Sequence, residues 1–223
     1  MKTLRPVLIS LVAIAMVSQA SEGVAATKKK WEKLTACQYI EDKNNDGDSF
    51  RVRCGEKNVV LRLYFVDAPE TNLRDAERTH LQSEHFGISL DETMKAGVKA
   101  TELVRDTLKG PFDVWTKWTS GGGRGKEVRY YGLVEVEGKS LVELLVSSGL
   151  ARIVGQVAPL PNGEKSRDYQ KRLIELESEA KKQHIGAWAH STKLQSACAN
   201  DWGSISIGIF ADPDYHALRL HQS

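Results

Sequence analysis

Apolar residues fill positions 7–17 of this 223-residue chain, broken only by Ser10, and no later stretch is as long. Beyond it the pattern shortens. Residues 34–41 and 48–54 flank the turn signal Asn44-Asn45-Asp46-Gly47, which predicts a β-hairpin. Residues 58–66, NVVLRLYFV, are rich in β-branched and apolar side chains and predict a third strand of a meander. Residues 91–108 place Met94, Val98, Val104 and Leu108 at roughly helical spacing, open with acidic residues and stop at Lys109-Gly110-Pro111. A strand at 112–118, a loop at Gly121-Gly122-Gly123-Arg124-Gly125 and a strand at 128–136 follow. Gly138 leads into a helix at 140–148 with Leu141, Leu144 and Leu145 on one face. The last helix, 166–183, sets Leu173, Leu176 and Ala180 against a charged side. Residues 72–89, holding Arg74, Arg78, His80 and His85, read as a solvated surface loop. Five strands with helices inserted after the third and fifth predict an α+β, mainly β domain: a five-stranded OB-type β-barrel with three helices.

The ends of the chain change this picture. Lys2 and Arg5 precede the apolar run, and Ser18, Ala20, Gly23, Ala25 and Ala26 follow it, the pattern of a secretory signal peptide over residues 1–26. Eleven residues are too few to span a bilayer. Cleavage after Ala20 or near Ala25 and Ala26 fits equally. The expected protein is secreted or periplasmic, free of the membrane after cleavage, and monomeric. Its expected domains are 1–26 (leader), 27–190 (barrel) and 191–223, an extension with Ile205, Ile207 and Ile209 in alternation and no assigned role.

Composition excludes disorder and fibre, with 41% hydrophobic and 27% charged residues. Lys and Arg total 31 against 29 Asp and Glu. Without Lys2, Arg5 and Glu22 the balance is 29 against 28, net about +1. Such a chain has no broad basic face, so a polyanion must be handled by a local site. In an oxidising compartment the three cysteines allow one internal pair. Cys37 and Cys54 lie symmetrically about the hairpin turn and are the expected disulfide, leaving Cys198 over. The spacing offers no zinc pattern.

Candidate chemistry concentrates in two acidic turns. Asp46-Gly47-Asp48 enters one strand, and Asp67-Ala68-Pro69-Glu70 leaves another. The carboxylates and the Ala68 carbonyl can converge into an oxygen-rich arrangement suited to a hard cation such as calcium. Arg62, between Leu61 and Leu63, needs an anionic partner: a structural pair with Asp48 or Asp67, or a bound anion. Residues 42–47 also match the opening of an EF-hand loop. Arg53 stands where that loop needs a bidentate Glu, so the segment reads as a polar hairpin turn.

DGDSFRV, LRLYFVDAPET and RYYGLVEVEGKSLVELLVSSGLARI together resemble, in order and spacing, the staphylococcal nuclease (thermonuclease)-like family over residues 33–190. The resemblance implies an OB-fold barrel with three helices and a calcium-dependent nuclease that cleaves DNA and/or RNA, leaving 3′-phosphate ends. It implies Asp48 and Asp67 as Ca²⁺ ligands with the Ala68 carbonyl nearby, Glu70 orienting or deprotonating water, and Arg62 and Arg129 as phosphate clamps. Running back without gaps from Gly138-Lys139 selects Arg129 over Tyr131 for the second arginine. Gly155 and Val157 stand where the best-known member presents tyrosines, so base stacking does not transfer. Trp115, Trp118 and Trp188 read as core or rim aromatics. The alternatives are a catalytically inactive OB-fold nucleic-acid-binding module and a calcium-stabilised structural domain. The first would be marked by lost acids or arginines, and here all five matched side chains are present; the second leaves Arg62, Arg129 and Glu70 without a role.

Overall fold

The computed structural model describes residues 29–124 and 127–192. The expected leader, Cys198 and the alternation at 205–209 lie outside the described residues. Alternating strands bury one face each, and closing them into a ring buries all those faces together. β1 (Glu32–Ile40), β2 (Ser49–Cys54) and β3 (Lys57–Leu63) form an antiparallel meander. β4 (Phe112–Arg124) pairs with β1, and β5 (Glu127–Val136) pairs with β4. The parallel pairing of β5 with β3 closes the barrel. A two-residue β6 (Lys139–Ser140) extends β5. Phe50, Val52, Leu61, Leu63 and Val114 are fully buried. Cys37 and Cys54 are joined by a disulfide across the β1–β2 hairpin.

Two segments depart from the sequence expectation. Residues 72–89 are not a loop: a 3₁₀ turn at Leu73–Asp75 leads into helix α1 (Ala76–Phe86). Asn72 caps Arg74 N–H, Asp75 caps Arg78 N–H, and Gly87 ends the helix in the left-handed conformation. The buried face of α1 is Thr79, Gln82, Ser83 and Phe86. Three of those four are polar, so the helical period does not appear as an apolar stripe. The glycine run 121–123 likewise belongs to β4, which continues through it with register shifts against β5.

The three expected helices are α2 (Leu90–Thr107), α3 (Leu141–Ser147) and α4 (Ser166–Lys182). α2 presses against both acidic turns. A Cβ on Gly97 would stand 2.5 Å from the Pro69 carbonyl oxygen and 2.6 Å from that of Glu70, and one on Gly47 would stand 2.6 Å from the Ala100 Cβ. A mid-helix glycine normally destabilises, and here it permits the close approach of helix and turn. No helix of the described residues is long and apolar enough to cross a membrane.

Candidate active site

Both acidic turns open at the same end of the barrel. Ser49 in β2 pairs with Arg62 in β3, which sets Asp48 beside the last residues of β3. β3 ends at Leu63, and Phe65 follows in a left-handed backbone conformation with φ 70°. A bulky residue is strained there. The surroundings hold it in place: Phe65 N–H donates to Gln156 O at 2.9 Å, and the ring packs edge-on against Tyr169. The chain then turns sharply, and Asp67 exchanges backbone hydrogen bonds with Arg152 at 3.0 Å in each direction.

Asp48, Asp67 and Glu70 are buried at 2%, 4% and 6% exposure. Buried carboxylates require partners, and these have several. Asp48 Oδ1 accepts from Ser49 Oγ at 2.8 Å, and its Oδ2 accepts from Ala68 N–H at 3.2 Å. Asp67 Oδ2 accepts from Arg152 Nε at 2.7 Å and Gln82 Nε2 at 2.8 Å. Burial alone would raise the Asp67 carboxyl, but Arg78, Arg152 and Gln82 hold it below the usual aspartate value. Asp46 has no such supply of cations: burial, with Asp48 and Glu70 adding to it, pushes its carboxyl up to about 8.

The arginines expected at the site are there. Arg62 Nη2 stands 3.5 Å from both Asp48 Oδ2 and Asp67 Oδ1. Arg129, paired in register with Val60, brings Nη1 to 3.4 Å from Ser49 Oγ, the hydroxyl that donates to Asp48. β5 thus delivers Arg129 to the same rim as Asp48. Tyr131, the alternative, lies opposite Arg62 and its ring packs on Tyr64.

Three further residues complete the cluster. Gln82, fully buried on α1, donates to Asp67 Oδ2 and to Ala68 O at 2.9 Å while its Oε1 accepts from Glu70 N–H at 2.8 Å. One amide therefore fixes a carboxylate, a carbonyl and the backbone of Glu70. Arg152 anchors Asp67 from the loop after α3. Arg78 enters from the first turn of α1: its Nη2 donates to Asp67 Oδ1 and lies 3.4 Å from Asp48 Oδ2, and its Nη1 lies 2.8 Å from Glu70 Oε1. The capping residues Asn72 and Asp75 were the available sequence signal for α1, and no local signal points to Arg152.

The positions Gly155 and Val157 offer no ring to a base. Gly155 has φ 128°, with the Val66 carbonyl 3.4 Å from where a Cβ would stand, and Val157 is exposed. Trp115 and Trp118 donate to Glu135 and Glu32, and Trp188 is buried against Phe86. The turn at 42–47 is a hairpin connection in which Asp42 accepts from Asn44 N–H.

A hard cation binds through carboxylate, carbonyl and water oxygens. Among the described residues no three Asp, Glu, His or Cys side chains form a metal cage by themselves. Asp48 Oδ2 and Asp67 Oδ1, from different turns, nevertheless converge on the same positively charged nitrogens, Arg78 Nη2 and, farther off, Arg62 Nη2. This pair accommodates a positive centre, and the Ala68 carbonyl lies on the same turn as Asp67. The residues fit a calcium ion held by two carboxylates, with water supplying much of the shell.

Fold and site together define a nuclease-like OB-barrel class, with acids and arginines gathered at one rim. The family model described as Staphylococcal nuclease homologue matches residues 60–190, more than half of the chain, and the chain belongs to that family. No curated protein matches the chain. The matched span begins within β3, whereas the barrel also needs β1 and β2, which carry the disulfide and flank the turn that ends in Asp48.

Proposed function

We propose that this protein is a secreted or periplasmic calcium-dependent nuclease, hydrolysing phosphodiester bonds of DNA and/or RNA to leave 3′-phosphate ends. It acts as a monomer through a domain spanning 27–190, after loss of the leader at 1–26. One observation carries the reading: Asp48, Asp67 and Glu70 converge on a single cationic centre, with Arg62 and Arg129 at the same rim.

A phosphodiester repels nucleophiles, and negative charge builds on its oxygens during in-line attack. Asp48 and Asp67 would hold calcium, and the ion supplies positive charge that offsets this build-up. Arg62 and Arg129 donate to the non-bridging oxygens, each guanidinium fork gripping two oxygens at once. Glu70, its backbone fixed by Gln82, accepts the proton of the attacking water, a role worth about 10²- to 10⁴-fold in rate. Few phosphate contacts and a near-neutral chain imply modest, salt-sensitive substrate affinity.

The test is incubation of the mature chain with heat-denatured DNA and with RNA, in millimolar Ca²⁺, in Mg²⁺ and with chelator. Cleavage that requires Ca²⁺ is expected. Failure to cut either polymer in Ca²⁺ would overturn the enzyme reading in favour of a binding module.

A further inference from the structure

Arg78 belongs to none of the motifs that mark the site, yet it has the most central position in it. One nitrogen of its guanidinium bridges Asp67 Oδ1 and Asp48 Oδ2, and the other lies 2.8 Å from Glu70 Oε1. The side chain is four-fifths buried. The two aspartates are the proposed cation ligands, and Glu70 is the proposed base.

We infer that Arg78 is a built-in competitor for the cation: its guanidinium occupies the position between Asp48 and Asp67 and pins Glu70, and it must yield that position when calcium binds. The inference rests on the calcium reading above. A metal ion seated on these two oxygens would stand at contact distance from the Arg78 nitrogen that donates directly to Asp67 Oδ1, with little water to screen the like charges, whereas Arg62 Nη2, 3.5 Å from both oxygens, makes no such direct contact. The exchange adds one positive charge, a guanidinium leaving as a divalent ion arrives. Without either centre, Arg62 and Arg152 would remain on the aspartates, but the mutual repulsion of Asp48, Asp67 and Glu70 would be less fully offset. Arg78 therefore stabilises the cation-free protein and weakens cation binding by the same interaction.

The arrangement also couples two events. The guanidinium that holds the cation's ligands is the one that bonds to Glu70 Oε1, so its departure releases that oxygen as the site is loaded. Arg62 and Arg152 do not substitute for it. Arg152 grips the other oxygen of Asp67 through Nε, and Arg62 stays at 3.5 Å from both acids.

The test measures Ca²⁺ affinity calorimetrically for the full mature chain, for Arg78→Met, which keeps the stem without the charge, and for Arg78→Lys. Melting temperatures are recorded with chelator and with Ca²⁺. Arg78→Met should bind Ca²⁺ roughly 10- to 100-fold more tightly than wild type. It should melt lower with chelator and gain more on adding Ca²⁺. Arg78→Lys, retaining a point charge, should fall between the two and keeps the comparison available if Arg78→Met fails to fold. A merely structural Arg78 would lower both melting temperatures and leave affinity unchanged or weaker. That outcome overturns the inference while wild-type binding leaves the calcium reading standing. No Ca²⁺ binding by any of the three chains overturns both.

Discussion

Among the described residues, buried acidic side chains lie in two places, and they behave differently. At the barrel rim Asp48, Asp67 and Glu70 share Arg78, with Arg62 and Arg152 on the aspartates. At the seam between α1 and α4, Glu177 meets His85 at 3.1 Å and Lys181 at 2.7 Å, beside Trp188. The second arrangement is a single acid between two bases, placed next to an aromatic cluster of His85, Phe86 and Trp188. It ties two helices together. The first gathers three acids from two turns around a shared Arg78, with two further arginines on the aspartates, an arrangement that a fold does not need for its own stability. A buried charge matched one to one serves packing, whereas like charges gathered from different segments serve a ligand.

Arg129→Ala should sharpen this contrast most. It should lower turnover about 10³-fold or more, as loss of a phosphate-gripping arginine does elsewhere, while leaving the melting temperature nearly unchanged. Steady-state rates with denatured DNA and a thermal melt decide it, and an unchanged rate would refute the β5 register as the source of the second clamp.

Gln82→Leu acts on the scaffold of the same cluster. It removes the Gln82 partner of the Ala68 carbonyl and of the Glu70 N–H and one of the two donors to Asp67 Oδ2, which keeps Arg152 Nε. A loss of about 2–3 kcal/mol in stability is expected, together with slower turnover at saturating substrate. Denaturant unfolding and kcat check both halves, and a stability loss with kcat intact would show that Gln82 does not position the reacting groups.

Glu177→Gln should cost only about 1–2 kcal/mol, because the amide keeps the size and part of the hydrogen bonding. Its turnover should match wild type. A strong rate loss there would break the distinction between the two clusters.

The smallest effect is in pH. Burial alone would raise Glu177, yet His85 and Lys181 hold its carboxyl below the ordinary 4.5. A depressed carboxylate contributes stability that is fully present above 4.5 and is lost as pH falls through the folded value. The stability gap between wild type and Glu177→Gln should therefore be full near neutrality and shrink well below pH 4.5. Urea titrations across that range measure it, and a gap that stays constant would remove the ion pair from the account of this seam.

Much of the fold was legible because its signals are local. The Asn44–Gly47 turn marked β1, β2 and their hairpin, a β-branched and apolar run marked β3, and spacing about the turn singled out Cys37 and Cys54. The apolar stripes of α2, α3 and α4 were equally plain. α1 was not, since its inward face is Thr79, Gln82 and Ser83. Polar residues bury only where a partner awaits them, and those partners are the turn at residues 67–70, the Asp75 carbonyl and the Ile88 carbonyl.

The sequence by itself determined the barrel's strands, most of its helices and the identity of the acids and of two arginines at the rim. The strands and helices are written in spacing along a few residues, whereas the acids and arginines were singled out through the resemblance of their motifs to a known family. Only the tertiary structure decided that Arg78 stands between Asp48, Asp67 and Glu70 and that Arg152 braces Asp67. The physical reason is separation: Asp67 and Arg152 are 85 positions apart. Electrostatic partnership depends on distance in space, and barrel closure with α1 docked over the turn sets that distance.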